Sequence, residues 1–419
     1  MSAAVVSSHF VAEKVKALCA LSDVCYTSSE TSLSKYEALP VVASGGWDNE
    51  TNHITLHAPV RWSLDERELG KEYGRKSSDV RTCELKTVAE TEHEGDVNAL
   101  QFVATRDKKL LVSASSMGGI FAYRVSSSTA GDDSVMTDEE ADKPLDVHVI
   151  PQWERVFAGI AATCVEVSEA RTSLVTASAD GALAWLKLDD VASVVKIGPR
   201  KDINLLYVAG YILIDSLALT AQLQPSSYGF GTSQQTTSSL SRPLLSTCVC
   251  ISRSQTFLTT LETHPTRPEL LITGAADGSV SLWDRRKLAA PFRTDTHHHR
   301  AVRALKIHSA FPRYLYTGND DSVVNCWDFH HGRNRCDPVE YERYSESTSS
   351  QSQSATPFGS LATSSDKCFE GPRRLHVEQL TSGSQPWNAL AIHAESDVLV
   401  AGSDAQTIVI VQNVSQWKQ

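Results

Sequence analysis

His298, Thr317 and Asp321 are of the types that form a hydroxyl nucleophile, its base and an orienting carboxylate. Hydrolysis by such a set also needs a strained elbow beneath the nucleophile and backbone N–H groups aimed at an oxyanion. No GxSxG-type turn surrounds Thr317. The spacing fits a buried structural network better: a histidine four residues before Val302, a threonine in one strand, an aspartate in the following turn, and Trp327 in the next strand. Each hydrogen bond of such a network contributes about 1 kcal/mol. Thr273, Asp277 and Trp283 repeat the pattern one period earlier without the histidine, while His93 and Ser113 repeat part of it, with Met117 and Tyr123 at the remaining positions.

Other chemistry is thinly represented. Cys326, His330, His331 and Cys336 are the best metal-ligand set, but Cys326 alternates with Val324 toward a core while the others follow in a loop. One ion could not reach all four, and no metal site is expected. The run His297–His299 reads as one network member flanked by loop histidines. Neither GxxxxGK[ST] nor GxGxxG occurs, so no phosphate cradle and no cofactor are expected. Two Phe-Gly dipeptides, at 230–231 and 358–359, do not make an FG-repeat domain. Thr137 precedes Asp138, Glu139 and Glu140, the pattern acidophilic kinases favour, and a phosphate there would add charge to an already acidic segment. Trp47 falls in a turn, where an indole either tucks over a neighbouring element or serves as a partner anchor. The chain is not expected to be an enzyme.

Repeats must position these residues. Leu270–Asp284 (LLITGAADGSVSLWD) and Tyr314–Asp328 (YLYTGNDDSVVNCWD) each show alternate apolar residues, an acidic turn and a second strand closing in Trp-Asp, as a half-buried hairpin requires. Trp283 and Trp327 stand 44 residues apart, one period of a propeller blade. Weaker copies occur at Leu174–Leu186, Leu111–Tyr123, Val41–His57 and Val398–Val411. A double-length gap before Gly274 contains the apolar stretch Ile203–Leu223, which supplies another. The expected fold is therefore all-β, a seven-bladed WD-repeat β-propeller forming a single domain over 1–419. Too few residues follow the last hairpin to build an outer strand, so His9–Lys16 (HFVAEKVK) is expected to pair there and close the ring.

Composition agrees with a globular chain: 41% hydrophobic, 21% charged, and almost without sustained helical periodicity. A net charge of −11, with only short, interrupted basic spots, argues against nucleic-acid binding. The longest apolar run, Leu205–Ile214, is too short to span a bilayer, and the start lacks a signal-peptide pattern, so no membrane insertion and a cytosolic or nuclear setting are expected. Of nine cysteines, Cys164, Cys248, Cys250 and Cys326 sit in β-like runs and are expected to be reduced. Inserts at 66–79, 126–146, 226–241 and 345–365 are charged or Ser/Thr-rich and are expected to be mobile loops, all leaving the second strand of a hairpin and so sharing one face.

The first hairpin, Ala43–Leu56 (ASGGWDNETNHITL), carries Trp-Asp-Asn-Glu in its turn. With Phe10–Lys16, His93–Phe102, Val112–Ser116 and Ala401–Ile408 in the same succession, it resembles the WD-repeat nucleoporins of the Y-shaped, outer-ring nuclear pore scaffold. The resemblance implies a non-catalytic scaffold subunit that binds an α-solenoid nucleoporin of the Y-complex short arm and other outer-ring nucleoporins. It further implies a place at the nuclear envelope, support of mRNA and protein transport, and kinetochore association in mitosis. The chain departs from that family in its fourth blade, which lacks a closing Trp-Asp, and in its long inserts. Trp283-Asp284-Arg285-Arg286 also fits the WDxR pattern of WD-repeat substrate receptors of cullin-based ubiquitin ligases, the alternative reading.

Overall fold

The computed structural model describes residues 5–24, 39–61, 83–105, 108–126, 144–148, 150–167, 171–180, 182–190, 192–197, 258–284, 291–329 and 376–416. After β1 (Val5–Phe10), β2 (Val15–Leu21), β3 (Val41–Gly46), β4 (Asn52–Arg61) and β5 (Cys83–His93) form a four-stranded antiparallel sheet. The second sheet is β6 (Val97–Ala104), β7 (Lys109–Ser115), β8 (Ile120–Val125) and β9 (Leu145–His148); a one-turn helix, α1 (Pro151–Glu154), leads to the third, β10 (Ala162–Val167), β11 (Ser173–Ser178), β12 (Leu183–Lys187) and β13 (Val194–Ile197). The fourth is β14 (Leu258–His264), β15 (Arg267–Ala275), β16 (Ser279–Asp284) and β17 (Arg293–Thr296), and the fifth is β18 (Val302–Ile307), β19 (Tyr314–Asn319), β20 (Val323–Asp328) and β21 (His376–Ser382). The sixth joins β22 (Trp387–His393), β23 (Val398–Ser403) and β24 (Thr407–Gln412) to β1.

All six hairpins expected from the period-2 patterning are present, each as the second and third strands of a sheet. The chain is an all-β propeller with six blades among the described residues, where the repeat pattern predicts seven. The remaining one rests on Ile203–Leu223, which lies outside the described residues. The N-terminal strand also needs correction. Val5–Phe10, not His9–Lys16, pairs with β24, from Val5 opposite Gln412 to Phe10 opposite Thr407. Apolar alternation runs on past Phe10, but Ala12 turns in the left-handed region at φ 58°, and Val15 already opens β2. Leu145 and Asp146, assigned by composition to the second insert, begin β9.

What holds neighbouring sheets together follows from register. In each second strand one residue faces the preceding sheet and the next faces the following one. At the latter position stands a small residue, from Gly45 through Ala114, Ala177, Gly274 and Gly318 to Gly402. The first strand of the next sheet presses there: a Cβ on Gly45 would lie 2.3 Å from Val97 Cγ1, and one on Gly402 would lie 2.4 Å from Val15 Cγ1. Around these contacts lie five apolar layers, each between consecutive sheets, including one that seals the sixth sheet to the first. Trp153 of α1, fully buried, belongs to the layer between the second and third sheets.

Every first strand also bulges at its second residue, the position of Lys16, Asn98, Thr163, Thr259, Arg303 and Asn388. Freed from the ladder, some of these side chains reach the next sheet. Asn98 donates to Ala162 O at 2.7 Å and Asn388 to Val15 O at 3.1 Å, while the Thr259 hydroxyl donates to Val302 O. Each acceptor is the opening residue of the neighbouring first strand.

Because β24 (TIVIVQ) is uncharged and β-branched, its free edge would be an aggregation template. Deleting residues 1–10 removes the strand that covers it. The truncated chain is expected to form soluble oligomers or precipitate, and to lose melting temperature, when followed by size-exclusion chromatography with light scattering and by thermal melts. Unchanged monodispersity and melting would refute this role of β1.

Candidate functional site

Thr317 in β19 is the centre of the best-formed network. Its hydroxyl lies 2.7 Å from His298 Nε2 and accepts from the Trp327 indole N–H at 2.7 Å, with all three residues buried. Strand register explains the meeting: Trp327 pairs opposite Leu315, two residues from Thr317 and on the same face. Asp321 is placed differently from the sequence pattern. Its carboxylate accepts the backbone N–H groups of His299 at 2.6 Å and Arg300 at 3.1 Å, fixing the loop that carries His298. Asn319, which the sequence pattern does not single out, stands between them; its amide contacts His298 Nδ1 and donates to Asp321 at 3.2 Å. Burial pushes the His298 imidazole down to about 4. Thr317 carries no activated hydroxyl, because its neighbours hold it as a packed structural group.

The same register position is filled by other chemistry elsewhere. Trp283 donates to Thr273 at 2.9 Å, and Asp277 accepts from the Ser279 backbone and hydroxyl within its own turn. In the second sheet His93 Nε2 meets the Ser113 hydroxyl at 2.9 Å, and Tyr123, in the tryptophan position, bonds the same serine through its phenol. In the first sheet His57 takes that position and contacts Ser44 at 2.8 Å. A search for Trp-Asp misses His57 and Tyr123; the signal that finds them is the position two residues before a buried Ser or Thr, read across the hairpin.

Trp47 lies half-buried on the face carrying the hairpin turns. Its indole N–H donates to Asp404 Oδ1 at 2.9 Å in the turn of the sixth sheet, and Lys16 Nζ sits 5.1 Å from its ring centroid. Asn388 donates to the same Asp404 oxygen at 2.6 Å. Trp47 therefore bridges the first and last sheets. Around it the face is charged and well ordered: Asp96 accepts from Asp48 N and Asn52 Nδ2 at 3.1 and 3.0 Å, and Arg303 grips Asp320 through two bonds at 2.8 and 2.9 Å. Farther round, Met117 and Ile160 are 53% and 41% exposed, and a Cβ on Gly118 would lie 2.5 Å from Ile160 O. Antiparallel order makes the third strands end at the opposite end of the sheets, and the inserts at 66–79, 226–241 and 345–365, with most of 126–146, lie outside the described residues.

Titratable groups converge on the channel lining. Cys19, Gln101, Glu166, Glu262 and Lys306 occupy one register level of five first strands. Lys306 Nζ lies 3.0 Å from Glu262, and Gln101 donates to Glu166 at 3.2 Å. Burial pushes Glu166 up to about 7, an effect Lys306 opposes and Glu262 reinforces. Burial likewise pushes the Cys19 thiol up to about 12, so it is no nucleophile. Another catalytic look-alike, His308, Asp397 and Ser415, has the carboxylate in the middle: Asp397 accepts from Ser415 Oγ at 2.7 Å and from His308 at 3.1 Å. Backbone N–H groups of Ala310 and Phe311 reach His308 Nδ1, so both ring nitrogens of that histidine are engaged. Cys326 is buried beside Tyr316 and is pushed up to about 12 by burial, while His330, His331 and Cys336 lie outside the described residues.

Comparison with known proteins agrees with this geometry. The family model described as WD domain, G-beta repeat matches residues 244–284 and 290–328, which include the Trp283 hairpin and the segment through Trp327. The chain is similar to Nucleoporin Nup43 of Homo sapiens, 24% identical over 277 residues, covering 64% of this chain and 65% of the relative's length.

Two outcomes follow from the networks. Thr317→Val removes the partner of both His298 and Trp327 and is expected to cost about 2 to 3 kcal/mol, against about 1 for Thr273→Val, which orphans one indole; urea denaturation of the two variants checks the order. For Glu166 the folded state holds the proton more tightly than the unfolded chain, so its contribution is most favourable at low pH and is lost as pH rises from about 4.5 toward 7. Glu166→Gln should thus gain stability over the parent across that window, by about 3 kcal/mol in all, and run parallel to it above pH 7. Parallel curves throughout would show that burial does not hold the proton.

Proposed function

We propose that this chain is a non-catalytic scaffold subunit of the nuclear pore complex, a single seven-bladed ring that binds an α-solenoid nucleoporin of the Y-complex short arm at the nuclear envelope and so supports nucleocytoplasmic transport. The observation that carries the reading is the similarity to Nucleoporin Nup43 across 64% of the chain. Kinetochore association would follow from the same resemblance and from nothing else in the molecule.

Seven blades and a closed ring are supported by the sheet faces. First strands touch in the order β10, β6, β2, β22, β18, β14, and no comparable contact joins β10 to β14. By register Val175, Ala177, Leu183 and Trp185 of the third sheet face one side of that gap, and Leu271, Thr273 and Trp283 of the fourth face the other. Both faces are apolar enough to need a neighbour, and residues 198–257, longer than one blade period of about 40 to 45, join them. With that blade placed and β1 in the sixth sheet, no sheet edge faces the ring's seam.

Binding through the hairpin-turn face suits a persistent scaffold. That face is preformed by Trp47, Asp96, Asp404 and the Arg303–Asp320 pair, whereas ordering Ser-rich inserts would cost about 1 to 2 kcal/mol per residue. Met117 and Ile160, together with Phe10 beside the sixth sheet's turn, are exposed apolar side chains on it. The ubiquitin-ligase reading depends on Arg286, which lies outside the described residues, and the Trp283 indole of its motif is engaged by Thr273.

The test is a pull-down with the purified short-arm solenoid, with thermal melts of every variant. Replacing 126–143 and 345–365 by short Gly-Ser linkers is expected to preserve binding and melting. Met117→Glu with Ile160→Glu should weaken binding at least tenfold with melting unchanged, and Arg286→Ala should leave co-purifying nucleoporins in place. Loss of binding in a normally melting linker variant would move the interface to the inserts. A cullin adaptor as the main partner, lost on Arg286→Ala, would overturn the scaffold reading.

A further inference from the structure

We infer that Glu13, His53 and Glu90 form a binding site for one divalent transition-metal ion of the zinc class, which clips the N-terminal strand to the first sheet. Glu13 lies in the turn between β1 and β2, His53 in β4 and Glu90 in β5. The three come from segments far apart in sequence, yet His53 Nδ1 stands 2.5 Å from Glu13 Oε1 and 3.7 Å from Glu90 Oε1, and all three donor atoms fall within 4.8 Å of one another.

Two further observations turn the cluster into a site. Neither carboxylate meets a lysine or arginine among the described residues, so two negative charges converge on a single imidazole nitrogen. Room for one of them is built into the strand beside it: a Cβ on Gly46 would lie 2.3 Å from Glu13 Oε2. Imidazole with two carboxylates is a donor set for zinc-class ions, whereas calcium and magnesium prefer oxygen alone. Tetrahedral coordination with metal–ligand bonds near 2.1 Å holds donors about 3.4 Å apart. His53 and Glu13 need to separate by about 1 Å and Glu90 to close in slightly, both within side-chain rotation. The ion takes the place of the proton on Nδ1, which leaves to solvent; two carboxylates, a neutral imidazole and a divalent cation then sum to zero charge. The fourth position is left to water. Because Glu13 follows β1 and precedes β2, the ion would tie the strand completing the sixth sheet to the outer strands of the first.

The experiment uses the full chain stripped with EDTA, titrated with zinc chloride by calorimetry and followed by thermal melting, in parallel with His53→Gln and Glu90→Gln. Cysteines and the His297–His299 run can also take zinc, so the readout is the site lost by difference. The parent is expected to bind one zinc equivalent more than either variant, or to bind it at least tenfold tighter, and to melt higher with zinc. Both variants should melt with the metal-free parent and gain nothing from it. X-ray absorption at the zinc edge should find nitrogen and oxygen neighbours for that equivalent. Equal stoichiometry and affinity in the parent and Glu90→Gln, sulfur ligation of the equivalent, or an equal melting gain from magnesium would each overturn the assignment. Glu90 is exposed on an outer strand, so its substitution keeps the test independent of folding.

Discussion

Each sheet is apolar on both faces, and neither face can be left to water. A hairpin with one buried face can rest on any flat partner, but strands such as β3, β11, β19 and β23, buried along their whole length, need a neighbour on each side. Stacking sheet against sheet meets that demand at the five described interfaces. The spacing of the ring is set where Val97 and Val15 enter the hollows left by Gly45 and Gly402. A branched residue at either glycine would push the next sheet outward and open the interface between them.

Hydrogen bonds specify the ring within that apolar frame. The Thr317 network and its relatives tie a sheet's second and third strands together, while Asn98, Thr259 and Asn388 join three of the first strands to the next. The two sets are orthogonal: one fixes register within a blade, the other fixes blades against each other. Within these networks each polar group is satisfied by a near neighbour, so its chemical identity can change from blade to blade provided the partner changes with it. Tyr123 and His57 are such changes.

This explains what is legible in the sequence and what is not. Hairpins are legible because alternation with a period of two residues and an acidic turn are local signals, and all six emerge at the expected residues. Alternation misplaces the N-terminal strand because the pattern in HFVAEKVK continues across a turn whose only mark is the backbone of Ala12. Asn319 and His57 escape because a Trp-Asp template looks for residue types, whereas the structure keeps a geometric position. The channel ring and the Glu13–His53–Glu90 cluster are invisible for another reason: their members become neighbours only when registers from different strands are combined. A blade-by-blade alignment on the buried Ser or Thr would put Cys19, Gln101, Glu166, Glu262 and Lys306 in one column.

That column bears on why convergent titratable groups need not signal catalysis. Charges brought to a channel by strand register must be neutralised, and this ring does so internally: Lys306 is held in its charged form by Glu262, and Glu166 retains a proton near neutrality beside Gln101. A general base needs a free lone pair facing a substrate, and a nucleophile needs a depressed pKa. Here the thiol is raised and the lysine is paired, both the reverse of activation, while Glu166, raised by burial to about 7, accepts from Gln101. The perturbed values are a consequence of packing several first strands around a narrow axis. Strand register alone brings these side chains to the channel, and the charge that results is balanced by their pairing with one another.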